Sequence, residues 1–246
     1  MNISGNTILV TGGATGIGRA LAERFLQRGN EVIVCGRREA ALEQIRSEHP
    51  KIGTIRCDVA SHCERETLFH QVTRDFPAIN VLVNNAGIQR RVDLNDLESW
   101  ENTRSEIAIN LEAPIHLSEL FQQHFKGLDR AAIMNVTSGL AFVPLANVPV
   151  YCATKAALHS FTLSLRWQLK NTKTEVIEII PPAVDTDLQA PGLHKFGVNV
   201  DEFADHIFAG LENGGKEVGY GTAIASSQAS RDELNAIFER MNGSFH

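Results

Sequence analysis

Short runs of Val and Ile recur along this chain between longer amphipathic stretches, and that alternation limits the folds open to it. The runs read "TILVTGG", "EVIVCG", "GTIRCDV", "NVLVNNAG", "AAIMNVTSG" and "EVIEIIPPAV". They are near-continuous apolar runs, the mark of strands buried on both faces in a parallel sheet. The stretches between them carry apolar residues at helical spacing. In "GRALAERFLQRG", Ala20, Leu21, Phe25 and Leu26 repeat in this way before Gly29 stops the helix. "EAALEQIRSEHP" ends likewise before Pro50. Strand–helix alternation builds βαβ units wound on both sides of one sheet.

Composition narrows the function classes. The chain has 246 residues, 43% hydrophobic and 21% charged, with a formal net charge of −6 and no basic block, so a phosphate-tracking nucleic-acid surface is not expected. No apolar run approaches the roughly 20 residues of a membrane span. The first residues, "MNISGNTILVTGG", lack the basic flank of a signal peptide, so the expected location is cytoplasmic. Cys35, Cys57, Cys63 and Cys152 form no CxxC pair and read as reduced structural thiols. The nine histidines show no HExxH and no tight cluster, and no metal is expected.

"TGGATGIG", Thr11 to Gly18, follows the first strand and opens the first helix. Gly12 can take the positive φ of the turn, Gly16 lets backbone approach a pyrophosphate, and Gly18 lets helix and strand pack closely. The helix N-terminus then offers free N–H groups and a partial positive charge to phosphate. The spacing, Gly12–xxx–Gly16–x–Gly18, resembles the TGxxxGxG turn of the short-chain dehydrogenase/reductase family. That resemblance implies a single Rossmann-like domain over residues 1–246, with a parallel sheet of about seven strands and helices on both faces. It makes Gly12, Thr15, Gly16, Ile17 and Gly18 the phosphate cradle.

An NAD site usually carries an acid at the tip of the second strand, to hold a ribose hydroxyl. Here "VIVCGRRE" places Arg37 and Arg38 there, and guanidinium forks suit a 2′-phosphate by charge and geometry. NADP(H) is the preferred cofactor on this reading. NAD(H) remains possible, because Thr15 stands where many NADP-dependent members have a second basic residue. By resemblance, Asp58 and Val59 of "CDV" flank the adenine. "NNAG", with Asn85, Ala86 and Gly87, lines the adenosine side and steadies the sheet.

Tyr151 precedes Lys155 by four residues, so both side chains share one face of a helix. A free phenol has a pKa near ~10, and each unit of lowering takes about 1.4 kcal/mol. A nearby ammonium favours the phenolate and is expected to lower Tyr151 towards neutrality. With Ser138 at a strand end and Asn110 in a long helix, the pair fills the family's Asn–Ser–Tyr–Lys tetrad. The resemblance implies that Ser138 orients the substrate oxygen, that Lys155 also holds the nicotinamide ribose, and that Asn110 binds a water linking Lys155 to solvent.

Beyond the sixth strand, "PPAVDTDL" matches the family's PGxVxT at Pro181, Val184 and Thr186, the last two of which would meet the carboxamide, but puts Pro182 in place of its glycine, so the loop runs differently or that glycine is dispensable here. Residues of about 187–200 read as a substrate loop carrying Leu188, Leu193, His194 and Phe196, facing an apolar set of Leu140, Phe142, Val143 and Leu145. The tail departs from the family ending with a helix over about 229–242, capped by Ser230 with Glu233 three on. The expected assembly is a homodimer, or more widely a tetramer, formed by the helix with Asn110 and by Leu158, Phe161, Leu165 and Trp167 on the outer face of the helix with Tyr151. Within the family, "NLEAPIHL" and "GLAFVPLANVPVYCATKAALHS" resemble a bacterial branch labelled for D-alanine esterification of teichoic acids. The function implied is NADP(H)-dependent interconversion of a small-molecule carbonyl and alcohol. A non-catalytic NADP(H) sensor is the alternative.

Overall fold

The Val/Ile runs become seven parallel strands: β1 (Thr7–Thr11), β2 (Glu31–Gly36), β3 (Gly53–Arg56), β4 (Ile79–Asn84), β5 (Ala131–Val136), β6 (Thr174–Ile180) and β7 (Glu217–Gly219). They lie in the order β3-β2-β1-β4-β5-β6-β7 in a computed structural model that describes residues 1–95, 99–186, 188 and 195–243. β1 is flanked by β2 on one side and β4 on the other, so winding reverses there and opens a crevice beyond the strand tips.

Both faces of the sheet are apolar, and successive residues serve opposite faces. Ile8, Val10, Val32 and Val34 join one core with Phe25 of α1 (Gly16–Gln27), Leu42 of α2 (Glu39–Glu48), and Phe203 and Phe208 of α7 (Val200–Glu212). Leu9, Ile33 and Leu82 join the other with Leu68 of α3 (His62–Asp75) and Phe121 and Phe125 of α5 (Ala113–Phe125). Truncating one such phenyl ring to Ala costs about 3–5 kcal/mol. The expected doubly wound α/β architecture is therefore the one observed.

α5 is preceded by α4 (Trp100–Ile107) and a π-helical turn at Ala108–Glu112, which carries Asn110. At that turn, the Ala113 N–H reaches back five residues to the Ala108 carbonyl. Tyr151 and Lys155 lie on α6 (Pro149–Gln168), the longest helix among the described residues. The face of α6 expected to lie outward is redistributed. Leu158 is only 1% exposed and points to the core, because it falls on the same buried stripe as Tyr151, Lys155 and Thr162. Trp167 is the outward member at 70% exposed, and the Lys170 ammonium covers its ring at 3.4 Å.

The chain finishes with α8 (Thr222–Gln228) and α9 (Arg231–Asn242). α9 opens on a capping box in which the Ser230 hydroxyl accepts from the Glu233 N–H and the Glu233 carboxylate accepts from Ser230. Its far end is tied back: Asn242 Oδ1 accepts from Ala146 N–H at 2.7 Å, and Asn242 Nδ2 donates to the Pro144 carbonyl at 3.1 Å. None of the described helices is long and apolar enough to cross a membrane.

Candidate active site

A cavity of about 1120 Å³ opens over the carboxyl ends of the strands. At one end lies the glycine turn. Gly12 and Gly16 hold φ of 64° and 54°, in the region that favours glycine. A Cβ on Gly12 would come within 2.9 Å of Ala86 Cα, and one on Gly18 would run into Asn85 Nδ2 and the Gly12 carbonyl. Thr15 sits at the N-cap of α1, yet its hydroxyl makes no cap bond, and the first turn holds no acid. The leading N–H groups of α1 are thereby left for an outside acceptor. Thr15 Oγ1 instead accepts from Arg38 at 2.9 Å, so a guanidinium from the tip of β2 stands over the turn. Arg37 lies 3.8 Å from the Asp58 carboxylate.

Beyond the turn, Thr11 Oγ1 accepts from the N–H groups of Asn85 and Ala86, both at 3.0 Å, which fixes the "NNAG" backbone to β1. Cys57 and Val59 form the wall beside β3, while Asp58 does not reach it. The carboxylate of Asp58 is turned to Arg37 and to the Ala60 N–H. Pro181 and Pro182 lead into the loop after β6. Val184 bridges to Val198, with Asp185 N–H to the Val198 carbonyl at 2.8 Å and Val198 N–H to the Ala183 carbonyl at 2.9 Å. Thr186 then faces Gly16, its methyl 3.4 Å from where a Cβ would stand. These surroundings fit a dinucleotide: a glycine cradle that a Cβ would fill, an uncapped helix start, and two arginines at the second strand tip.

Ser138, Tyr151 and Lys155 line the same cavity. Ser138 Oγ accepts from the Leu140 N–H at 3.1 Å and also hydrogen-bonds Tyr151. Lys155 Nζ donates to the Val136 carbonyl at 2.8 Å and lies 5.7 Å from the Tyr151 ring centroid. The expectation that Lys155 lowers the phenol is corrected here. Burial pushes Tyr151 up to about 12, with the Ser138 hydrogen bond pulling the other way, and burial brings Lys155 down to about 8. Desolvation opposes the charged form of both.

Asn110 is fully buried and does not line the cavity. Its amide closes on Ile88, accepting from the Ile88 N–H at 2.9 Å and donating to the Ile88 carbonyl at 2.8 Å, and it also donates to Thr154 at 3.2 Å. Its side chain thus clamps the loop after β4.

With the glycine turn and this trio on one wall, the comparison with known proteins has a definite object. The sequence profile described as short chain dehydrogenase matches residues 6–195. The chain belongs to the short-chain dehydrogenase family. It is 46% identical to the uncharacterized oxidoreductase DltE of Bacillus subtilis (strain 168) over 98% of both chains. It is 32% identical to human 15-hydroxyprostaglandin dehydrogenase [NAD(+)] over 84% of this chain and 79% of that one. A short-chain dehydrogenase from Burkholderia cenocepacia J2315, solved in complex with NADP, superposes with a TM-score of 0.83 at 28% identity, covering 97% of this chain and 99% of that one.

Several residues around the site of this dehydrogenase escape sequence reasoning. Glu178, fully buried in β6, accepts from Thr137 Oγ1 at 2.7 Å and pairs with His159 Nδ1 at 2.9 Å; its hydrogen bond raises the His159 pKa. That bond braces the residue next to Ser138. Phe142, expected in the pocket, packs edge-on against His159 instead, with centroids 4.7 Å apart. Glu106 is 1% exposed, its Oε1 has no hydrogen-bond partner among the described residues, and burial raises its carboxyl to about 7. Its charge bears on Tyr151. The signal available was its place one turn before Asn110. Leu140, Val143, Leu145, Leu188 and Phe196 line the cavity, as do Arg90, Arg91, Ile237, Arg240 and Met241, which the sequence did not single out. Leu193 and His194 lie outside the described residues. The structure also gathers His62, Glu66 and His116, with ligand atoms within 4.8 Å of one another, where the sequence showed no cluster; His116 Nδ1 there accepts from Arg65, and the group does not line the cavity.

Proposed function

We propose that this dehydrogenase is an NADP(H)-dependent oxidoreductase that interconverts a carbonyl and an alcohol, with Tyr151 as acid/base. The observation that carries the reading is that Tyr151, Ser138 and Lys155 line the same cavity as the glycine turn. The preference for NADP(H) is supported by Arg38 over Thr15, by Arg37 beside it, and by the NADP complex of the Burkholderia relative. The [NAD(+)] in the name of the prostaglandin dehydrogenase keeps NAD(H) as a second cofactor.

Gly12, Gly16 and Gly18 would pass the pyrophosphate to the start of α1, Arg37 and Arg38 would hold the 2′-phosphate, and Val184 and Thr186 would flank the carboxamide. When bound, the nicotinamide supplies or takes the hydride. Ser138 would donate to the substrate oxygen and hold it at the Tyr151 hydroxyl. A phenol at about 12 is protonated at neutral pH, which suits Tyr151 to giving a proton to a carbonyl. Lys155, protonated below about 8, would stabilise the phenolate left behind.

The test is a carbonyl panel with NADPH and NADH, followed at the nicotinamide absorbance. Oxidation of NADPH, faster than of NADH, is expected. Faster turnover with NADH overturns the arginine reading. Tight NADPH binding with no oxidation of either cofactor across the panel would favour the sensor.

A further inference from the structure

Six cationic side chains and no carboxylate line the cavity among the described residues: Arg37, Arg38, Arg90, Arg91, Lys155 and Arg240. The chain as a whole carries 29 acidic against 23 basic residues, so this wall opposes the net charge of the protein. Building on the proposed function, Arg37 and Arg38 belong to the cofactor and Lys155 to the reaction. Three arginines remain without an assignment.

Hydrogen bonds tie the segments that bear those three to one stretch of chain. The segment just before α6 is the shared anchor. Its Asn147 carbonyl accepts from the Val92 N–H at 3.0 Å, which seats the loop bearing Arg90 and Arg91. Its Ala146 and Pro144 backbone groups hold Asn242, which seats the end of α9 bearing Arg240. Tyr151 follows four residues after Asn147. Arg90 spends one N–H on the Asn102 carbonyl at 2.7 Å. Arg91 and Arg240 are exposed and have no ion-pair or hydrogen-bond partner among the described residues. The same cavity is also lined by the apolar Leu140, Leu145, Ile237 and Met241.

Guanidinium forks on a concave wall match carboxylate or phosphate oxygens and draw anions from solution. We infer that the substrate is a carbonyl compound bearing an anionic group, carboxylate or phosphate, beyond an apolar segment, and that Arg91 and Arg240 grip that group. In reduction, hydride passes from NADPH to the carbonyl carbon and the Tyr151 hydroxyl gives its proton to the oxygen. NADP⁺ and the anionic alcohol result, and the gripped group is unchanged.

The experiment compares matched pairs with the whole protein and NADPH: levulinate and its longer-chain homologues, each against its methyl ester, and dihydroxyacetone phosphate against dihydroxyacetone. The charged member of at least one pair should lead in kcat/KM by about 10-fold or more, equivalent to about 1.4 kcal/mol. Which pair leads tells carboxylate from phosphate. Arg240→Glu should invert that ratio and Arg91→Gln should reduce it. The anion site is overturned if neutral members do as well as charged ones, or if Arg240→Glu slows both members alike. A readout free of turnover separates the two readings: the shift in Tm of the Tyr151→Phe protein with NADPH, on adding each member of a pair. If nothing is turned over but anions alone raise Tm and Arg240→Glu abolishes the rise, the anion site stands and the reductase reading falls. Neither turnover nor a shift sinks both.

Discussion

The two ends of the cavity are built differently. The cofactor end is made of strand tips and tight backbone: glycine turn, "NNAG" and the start of α1, drawn together by Thr11 at the end of β1 and Asn85 just after β4. The other end is made of side chains from parts distant in sequence, Arg91 after β4, Leu140 after β5 and Arg240 near the last residues, held by bonds between loops. Backbone approach tolerates almost no change, whereas a wall of side chains can be exchanged piece by piece. Rigidity at one end and replaceability at the other is what a fixed cofactor and a variable substrate demand.

The largest effect should come where the two ends meet. Tyr151→Phe removes the proton donor and should lower kcat by about 10²–10⁴-fold. NADPH affinity, read by fluorescence titration, should hold. Comparable losses in both would mean that the ends are not separable. Gly18→Ala breaks the cofactor end alone, because the new methyl meets Asn85 and the Gly12 carbonyl. A loss of about 1–3 kcal/mol in thermal stability, with NADPH binding lost, is expected. An unchanged melting curve and affinity would deny that the cradle is tight.

Glu106 probes the scaffold behind the substrate end. Its carboxyl, raised to about 7, keeps its proton in the folded state at pH values where the unfolded chain has lost it. Stability therefore falls as pH rises from the ordinary carboxyl range through about 7, and the full cost stands above that. Glu106→Gln cannot ionise. It should be more stable than the parent by on the order of 2–3 kcal/mol near pH 8, with no difference below about pH 4. Urea midpoints across pH would read this, and a constant offset would refute it. Arg38→Ala is the smallest change, removing one exposed guanidinium. NADPH should lose about 1.5–2 kcal/mol of affinity relative to NADH. Equal losses with both cofactors would point to a structural role through Thr15.

The same contrast governs what the sequence could reveal. Direction and burial of the strands followed from the Val/Ile runs, and the cradle from three glycines within seven residues. Those features are local. Leu158 was misplaced although the spacing of Tyr151, Lys155, Leu158 and Thr162 marks one stripe; its apolar character alone had suggested an interface. Phe142 was read into the pocket because it sits among residues that do line it, yet His159, seventeen positions on, claims the ring. Arg91 and Arg240 could not be linked by any pattern, since the bonds that tie their segments to the stretch before α6 join parts distant in sequence.

The attachment of Asn242 also orders events in time. Synthesis proceeds from the N-terminus, and the turn, Ser138, Tyr151 and Lys155 have all emerged long before α9 does. A nascent chain halted after β7 would have all seven strands and the dinucleotide cradle, but no Ile237, Arg240 or Met241. If the cavity works as proposed, the means to hold a cofactor emerge from the ribosome ahead of the α9 side chains that would sort substrates.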